Sequence, residues 1–324
     1  MFSETKKVAA YSKNLTIISA LNFLFAFGCI LLGYVFMPFA AASYAALLTY
    51  EKKNKRILSY TLPVFILALN VFFNGFLSLE PYVYLVFGLI LYFTAKLERT
   101  KNETIFYLTL AGSVFVCFSF VVLGFASNES LSFGALRDFY AGAYDTFKKA
   151  FINVVTSLSQ ETETGLIYFV FNRETAEEIF HSILYYIPAF VIVFSFFLSG
   201  LAIKTFEAFK KRILFPDSYE KKEFIPTKFI SYLYIIFALL AFPSSAANDI
   251  FSISIGNIYT VFLFIFAYFG AKMLYAIVSA TRGTAFATLL LVFGIIVLNT
   301  TALSLLSFIG VFFALTANAK IKNN

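Results

Sequence analysis

The sequence predicts an all-α protein, a polytopic bundle of transmembrane helices with about nine or ten membrane segments and an amphipathic helical insert on the outer face. Three observations lead there. Of the 324 residues, 60% are hydrophobic and only 13% are charged, with a mean hydropathy of +0.83, far from the average soluble domain. The apolar residues come in blocks of about 17–25 almost free of charge, the length a helix needs to cross roughly 30 Å of hydrocarbon. The basic residues gather in the short connections on alternate sides of those blocks, the pattern of the positive-inside rule. Residues 1–324 read as a single integral membrane domain.

The first apolar block, Leu15–Tyr50, would form one helix of about 54 Å, too long for a single crossing. Gly33 and Pro38 break it into segments 15–35 and 38–50; the second either crosses or re-enters the membrane. The following spans are 57–77, 82–95, 104–126, 182–203, 229–245, 255–280, 284–299 and 301–317. "EKKNKR" 51–56, Lys96/Arg99/Lys101, "KKR" 210–212 in the loop 204–228, and Arg282 alternate with acidic or neutral connections. Threading the spans puts 20 positive and 8 negative residues on one side, and 4 positive and 10 negative on the other. The first side is cytosolic and holds both termini. "FAAAS" 39–43 and "AFGC" 26–29 are poor cleavage or lipidation signals, because the apolar run is too long and Phe27 too bulky.

The region 127–180 is the one sizeable extramembrane segment. Phe133, Leu136, Tyr140, Tyr144, Phe147, Phe151, Val154 and Leu158 recur every three or four residues, one aromatic helical face opposite charged residues. Such a helix rests on the membrane surface or covers the bundle. After "SQETETG" 159–165 a second helix is expected, with Thr175 and Glu178 as a capping box, running into the 182–203 span.

Composition and spacing also exclude function classes. The net charge of +7 is spread over short loops and serves orientation and the anionic leaflet, not nucleic acid. Cys29 and Cys117 fall in apolar spans as small hydrophobes. The single histidine, His181, gives no paired metal site, and "EEIFH" 177–181 has no second ligand to complete one. With no nucleotide-binding loop, nucleophile elbow or cysteine cluster, the chain reads as no enzyme, without cofactor or metal. Phe 45, Tyr 20 and Trp 0, with abundant Lys, Ile and Asn, point to an AT-rich bacterial genome.

Polar residues inside spans are the better lead, since they face bundle interiors or cavities. Asn70 and Asn74 share a face near the outer end of the 57–77 span. Asn257 opens the 255–280 span and Asn299 closes the 284–299 span on the same side. They form either an outward-facing pocket for a small-molecule ligand or interhelical hydrogen bonds. Ala41, Ala42, Ala45 and Ala46 stack at helical spacing, which permits close helix approach within the chain or against a transmembrane protein partner. Lys272 interrupts the apolar run "VFLFIFAYFGAKMLYAIVSA" 261–280; it either snorkels toward the cytosolic headgroups or meets a partner.

Several blocks in order resemble the YybS-type family of uncharacterised polytopic bacterial membrane proteins, a domain of unknown function. They are "IPAFVIVFSFFLSGLAIKTFEAFKKR" 187–212, "EFIPTKFISYLYIIFALLAF" 223–242, "GNIYTVFLFIFAYFG" 256–270 and "LLSFIGVFFALTANAK" 305–320. Phe224/Ile225 and Phe269 depart from the family's Trp before the proline and Gln before the glycine, and the last span lacks the family's acidic residue. The resemblance implies a distant similarity to the substrate-binding S components of energy-coupling-factor transporters, which dock a transmembrane partner through small-residue stripes. The expected function is therefore a transporter-like subunit of the cell membrane, binding a small solute from outside and energised by partners. The alternative is a structural or regulatory protein that docks cell-envelope or division partners through 127–180 and 204–228.

Overall fold

The computed structural model describes residues 2–51, 57–75, 79–127, 133–161, 173–214, 225–244, 250–298 and 300–321. These form helices and no strand. In chain order they are α1 (Phe2–Leu32), α2 (Met37–Tyr50), α3 (Ile57–Asn74), α4 (Glu80–Lys96), α5 (Lys101–Ser127) and α6 (Phe133–Glu161). Then follow α7 (Arg173–Tyr185), α8 (Ile187–Phe209), α9 (Lys228–Ser244), α10 (Ile250–Arg282), α11 (Thr284–Leu298) and α12 (Thr300–Ile321). Among the described residues five stretches are long and apolar enough to cross a membrane: Ser12–Val35, Ile57–Asn74, Lys101–Phe125, Ile187–Arg212 and Ile250–Arg282. Shorter apolar helices cover Pro81–Lys96, Lys228–Ala241, Thr284–Val297 and Thr301–Ala317.

The expected break in the first apolar block is there. Gly33 takes φ +60°, a left-handed conformation that suits glycine, and a 3-10 turn at Gly33–Val35 follows α1. Pro38 then lies in the first turn of α2, where its missing N–H costs nothing and its fixed φ favours the helix. A second expected continuity fails. The 182–203 span does not extend unbroken from α7, because the helix stops at Tyr185 and restarts at Ile187; Pro188 has no N–H for the Leu184 carbonyl one turn back, and its ring suits the first turn of a new helix. Since α7 already begins at Arg173, Thr175 lies inside it and does not precede it as a cap would.

The chain divides into two compact units. The first comprises Met1–Phe151 and Phe194–Lys222, the second Ile152–Val193 and Glu223–Asn324. In the first, α2 packs between α1 and α4 and is buried along almost its whole length, as an all-round apolar helix must be. Its alanines let the neighbours come close. A Cβ added to Gly88 of α4 would lie 2.6 Å from Tyr44 Cδ1 and 3.0 Å from the Ala41 carbonyl oxygen. In the same unit α5 is tied to α8 by the Lys101–Glu207 ion pair at 2.9 Å. The amphipathic α6 leaves Phe147 and Val154 of its predicted apolar face exposed, and its Tyr140 hydroxyl donates to the Phe120 carbonyl of α5.

The second unit is built on a crossing of α10 and α12 with their backbones in contact. A Cβ on Gly270 would fall 1.9 Å from the Leu306 carbonyl oxygen, and one on Gly310 would fall 2.1 Å from that of Phe266. Around this crossing Phe266, Phe269, Val311 and Ala314 pack with Tyr234 of α9. The Tyr234 and Ser307 hydroxyls share a hydrogen bond of 2.8 Å, so the one polar tip in that cluster is satisfied.

Candidate functional site

A polar interior lies in the first unit, where α1, α2 and α4 meet. Ile18, Asn22, Ala26 and Cys29 recur at helical spacing along the buried face of α1, three apolar positions and one amide. The Asn22 Nδ2 donates to the Ala40 carbonyl and to Ser43 Oγ of α2, each at 3.2 Å. Ser43 Oγ in turn donates to the Ala40 carbonyl at 2.9 Å. Asn22 Oδ1 is fully buried and has no partner among the described residues. One residue along α2, the Tyr44 ring meets that of Tyr84 edge-on at 6.2 Å, and the Tyr84 hydroxyl is likewise buried and unpaired. A single turn of α2 therefore meets two side chains, Asn22 and Tyr84, that each carry a buried polar atom with unused bonding capacity. Such groups are rare in folded interiors, because leaving one unsatisfied costs about 1–3 kcal/mol. A third, Ser195 Oγ of α8, faces Gly112 of α5, where an added Cβ would come within 3.1 Å of it.

The amides singled out from sequence take different roles. Asn70 is fully buried. Asn74 Nδ2 donates to Asn70 Oδ1 at 3.3 Å and to the Ile30 carbonyl at 2.9 Å. Ile30 lies in the last turn of α1, where carbonyls have no helical donor, so the pair ties the ends of α3 and α1 together. Asn257, in the second unit, fills the joint between α7 and α8. Its Oδ1 accepts the Ala189 N–H at 3.0 Å, while Nδ2 donates to the carbonyls of Tyr185 at 2.8 Å and Ile253 at 2.9 Å. Ala189 and Tyr185 are the facing ends of two helices, and one amide supplies both missing partners. Asn74 and Asn257 thus spend their donors on helix ends, and Asn299 lies outside the described residues.

Of the two readings of the alanine stripe, close approach within the chain is the one seen among the described residues. Ala41, Ala42, Ala45 and Ala46 are all fully buried within the first unit, where α1 and α4 cover α2. Small side chains there admit neighbouring helices of the same chain. Lys272 is half-buried on α10, about 200° around the helix from the Gly270 contact with α12.

Two further groups escaped the sequence reading. Glu51 is 5% exposed. Its carboxylate accepts the backbone N–H groups of Leu58 at 3.0 Å and Ser59 at 2.9 Å, along with the Ser59 hydroxyl. It closes the N-terminus of α3 from the end of α2, where orphan donors and the helix dipole favour an anion. In the sequence it appears as one charge at the head of a basic cluster, with no sign of its burial. Thr100 and Glu103 form a reciprocal capping box on α5. The Glu103 carboxylate accepts the Thr100 N–H at 2.8 Å, and the Glu103 N–H donates to Thr100 Oγ1 at 3.2 Å.

Among the described residues no group of three or more His, Cys, Asp or Glu side chains is placed to hold a metal ion. No protein-family model, no curated protein and no solved structure matches the chain.

Proposed function

We propose that the chain is a multi-pass protein of the bacterial cell membrane, with nine or ten crossing segments, both termini cytosolic and α6 along the outer surface. Within that frame it serves as a transporter-like subunit that binds a small polar solute inside the first unit and is energised by partner proteins. The charge asymmetry of the connections supports the orientation, and the resemblance to the YybS-type family agrees with such a role. The observation that carries the solute site is the pair of buried, unpaired polar atoms, Asn22 Oδ1 and Tyr84 Oη, beside one turn of α2. In a membrane-spanning bundle, interior polar groups are costly and rare, and those left without a partner suit a substrate or ion pathway.

Small-molecule mass spectrometry on the purified protein tests this reading. A copurifying polar solute is expected in the native chain, and Asn22→Leu and Tyr84→Phe should deplete it while the protein stays folded. The absence of any solute, or equal content in both variants, overturns it. Tyr84→Phe discriminates further: depletion of the solute supports the site, whereas a gain in thermal stability with unchanged ligand content marks a hydroxyl that nothing uses and overturns it.

A second reading draws on the exposed apolar residues of α6. Phe147 is 60% and Val154 57% exposed, which suits a docking helix for an envelope or division partner. Deletion of residues 131–158 should then abolish a crosslinked partner, and an unaltered crosslinking pattern excludes it.

A further inference from the structure

Between α4 and α5 the first unit carries a groove of about 630 Å³, within the range of small-molecule sites. Val86, Ile90 and Phe93 form one wall, and Tyr107, Leu110 and Val114 the other. It follows the helices for roughly 17 Å, more than half the thickness of a hydrocarbon core. Phe93, Leu110 and Val114 are 50–59% exposed, so the groove lies open along its side. Thr94 also borders it, but its hydroxyl is spent on the carbonyls of Ile90 at 2.8 Å and Leu91 at 3.2 Å. The charged side chain at the groove is Arg99, beyond the end of α4.

The corner that carries Arg99 is held from both sides. Glu98 sits at φ +53°, its N–H donating to the Ala95 carbonyl at 3.3 Å while the Arg99 N–H donates to that of Thr94 at 2.9 Å. This pair of bonds is a Schellman motif. The next residue, Thr100, opens the capping box of α5. Arg99 therefore stands on a backbone fixed by two adjoining caps, with one guanidinium nitrogen 3.6 Å from Glu103. A guanidinium has five donors, which leaves most of them for another anion.

An apolar trough with an arginine at its end matches a molecule with an apolar tail and an anionic head. We propose that the groove binds an anionic phospholipid, with one acyl chain between α4 and α5 and the phosphate on Arg99. Guanidinium recognises phosphate through paired hydrogen bonds, and basic residues beside a span favour anionic over zwitterionic lipid about fivefold each. The proposal rests on the chain spanning a membrane and is independent of the interior solute site.

Native mass spectrometry of the full chain in detergent, titrated with phosphatidylglycerol or phosphatidylcholine, tests it. The first phosphatidylglycerol should bind about fivefold more tightly than the first phosphatidylcholine. Arg99→Gln should erase that preference and Arg99→Lys should keep part of it. Ala111→Phe, which fills the groove wall, should weaken the first binding event for both lipids. Equal binding of the two lipids by the native chain overturns the proposal. So does a preference that survives in Arg99→Gln, or unchanged binding by a folded Ala111→Phe.

Discussion

Single atoms decide much of the packing. At Gly270 a methyl group would occupy the place of the Leu306 carbonyl oxygen, 1.9 Å away. Backbone cannot swing aside as a flexible side chain can, so α10 and α12 would have to separate. Gly270→Ala should therefore destabilise the protein by about 1–3 kcal/mol or more, read as a clear fall in thermal midpoint in detergent. Gly200→Ala is the control, since nothing lies near its added Cβ. Glu98 is the reverse case. It is the one non-glycine residue at positive φ among the described residues, and a left-handed backbone costs an L-residue roughly 1–2 kcal/mol. Glu98→Gly relieves that strain at some cost in chain entropy, and a net gain of about 0.5–1 kcal/mol is expected in the same measurement.

Helix ends explain where the polar side chains went. Asn257 serves the last carbonyl of α7 and an early N–H of α8 at once. Asn257→Ala strands both groups and should cost about 1–3 kcal/mol. Thermal melting should record that loss, and solute content should stay unchanged if the interior site lies in the first unit. The apolar segments were legible in sequence because hydrophobic length and the Gly33/Pro38 break act locally. The site was less so. Asn70, Asn74 and Asn257 stood out as amides in apolar spans, with interhelical bonding as one of two readings; the Asn70–Asn74 spacing was visible, but the interhelical partners of Asn74 and Asn257 sit 44 and 68 residues away and leave no local trace. Capping boxes show the same limit. Thr175/Glu178 and Thr100/Glu103 share one pattern, yet only its register against the helix start makes it a cap. α5 begins one residue after Thr100, whereas α7 begins two before Thr175. Asn22 passed unnoticed because one amide in a long apolar run carries no spacing signal.

For the whole molecule, the charge pattern makes the sharpest prediction. If the basic connections are cytosolic, α6 faces outward. Gly142 on α6 is exposed, and an added Cβ there would meet open space, so Gly142→Cys should be tolerated. In a background without Cys29 and Cys117, this cysteine should react with a membrane-impermeant maleimide in intact cells. Labelling that requires permeabilised cells reverses the orientation. The two compact units each hold their own packing core, so damage at Gly270 should leave the polar interior around Asn22 in place.

The glycine contact of α10 with α12 also bears on biosynthesis. Gly270 and Gly310 are about forty residues apart, roughly 2–8 s of translation at ~5–20 residues per second. During that interval α10 has left the ribosome without the backbone it is shaped to touch. Its glycine notch must wait in the bilayer, or under a chaperone or insertase, until α12 arrives. Nascent chains arrested between the two glycines are therefore the form most open to quality-control proteases.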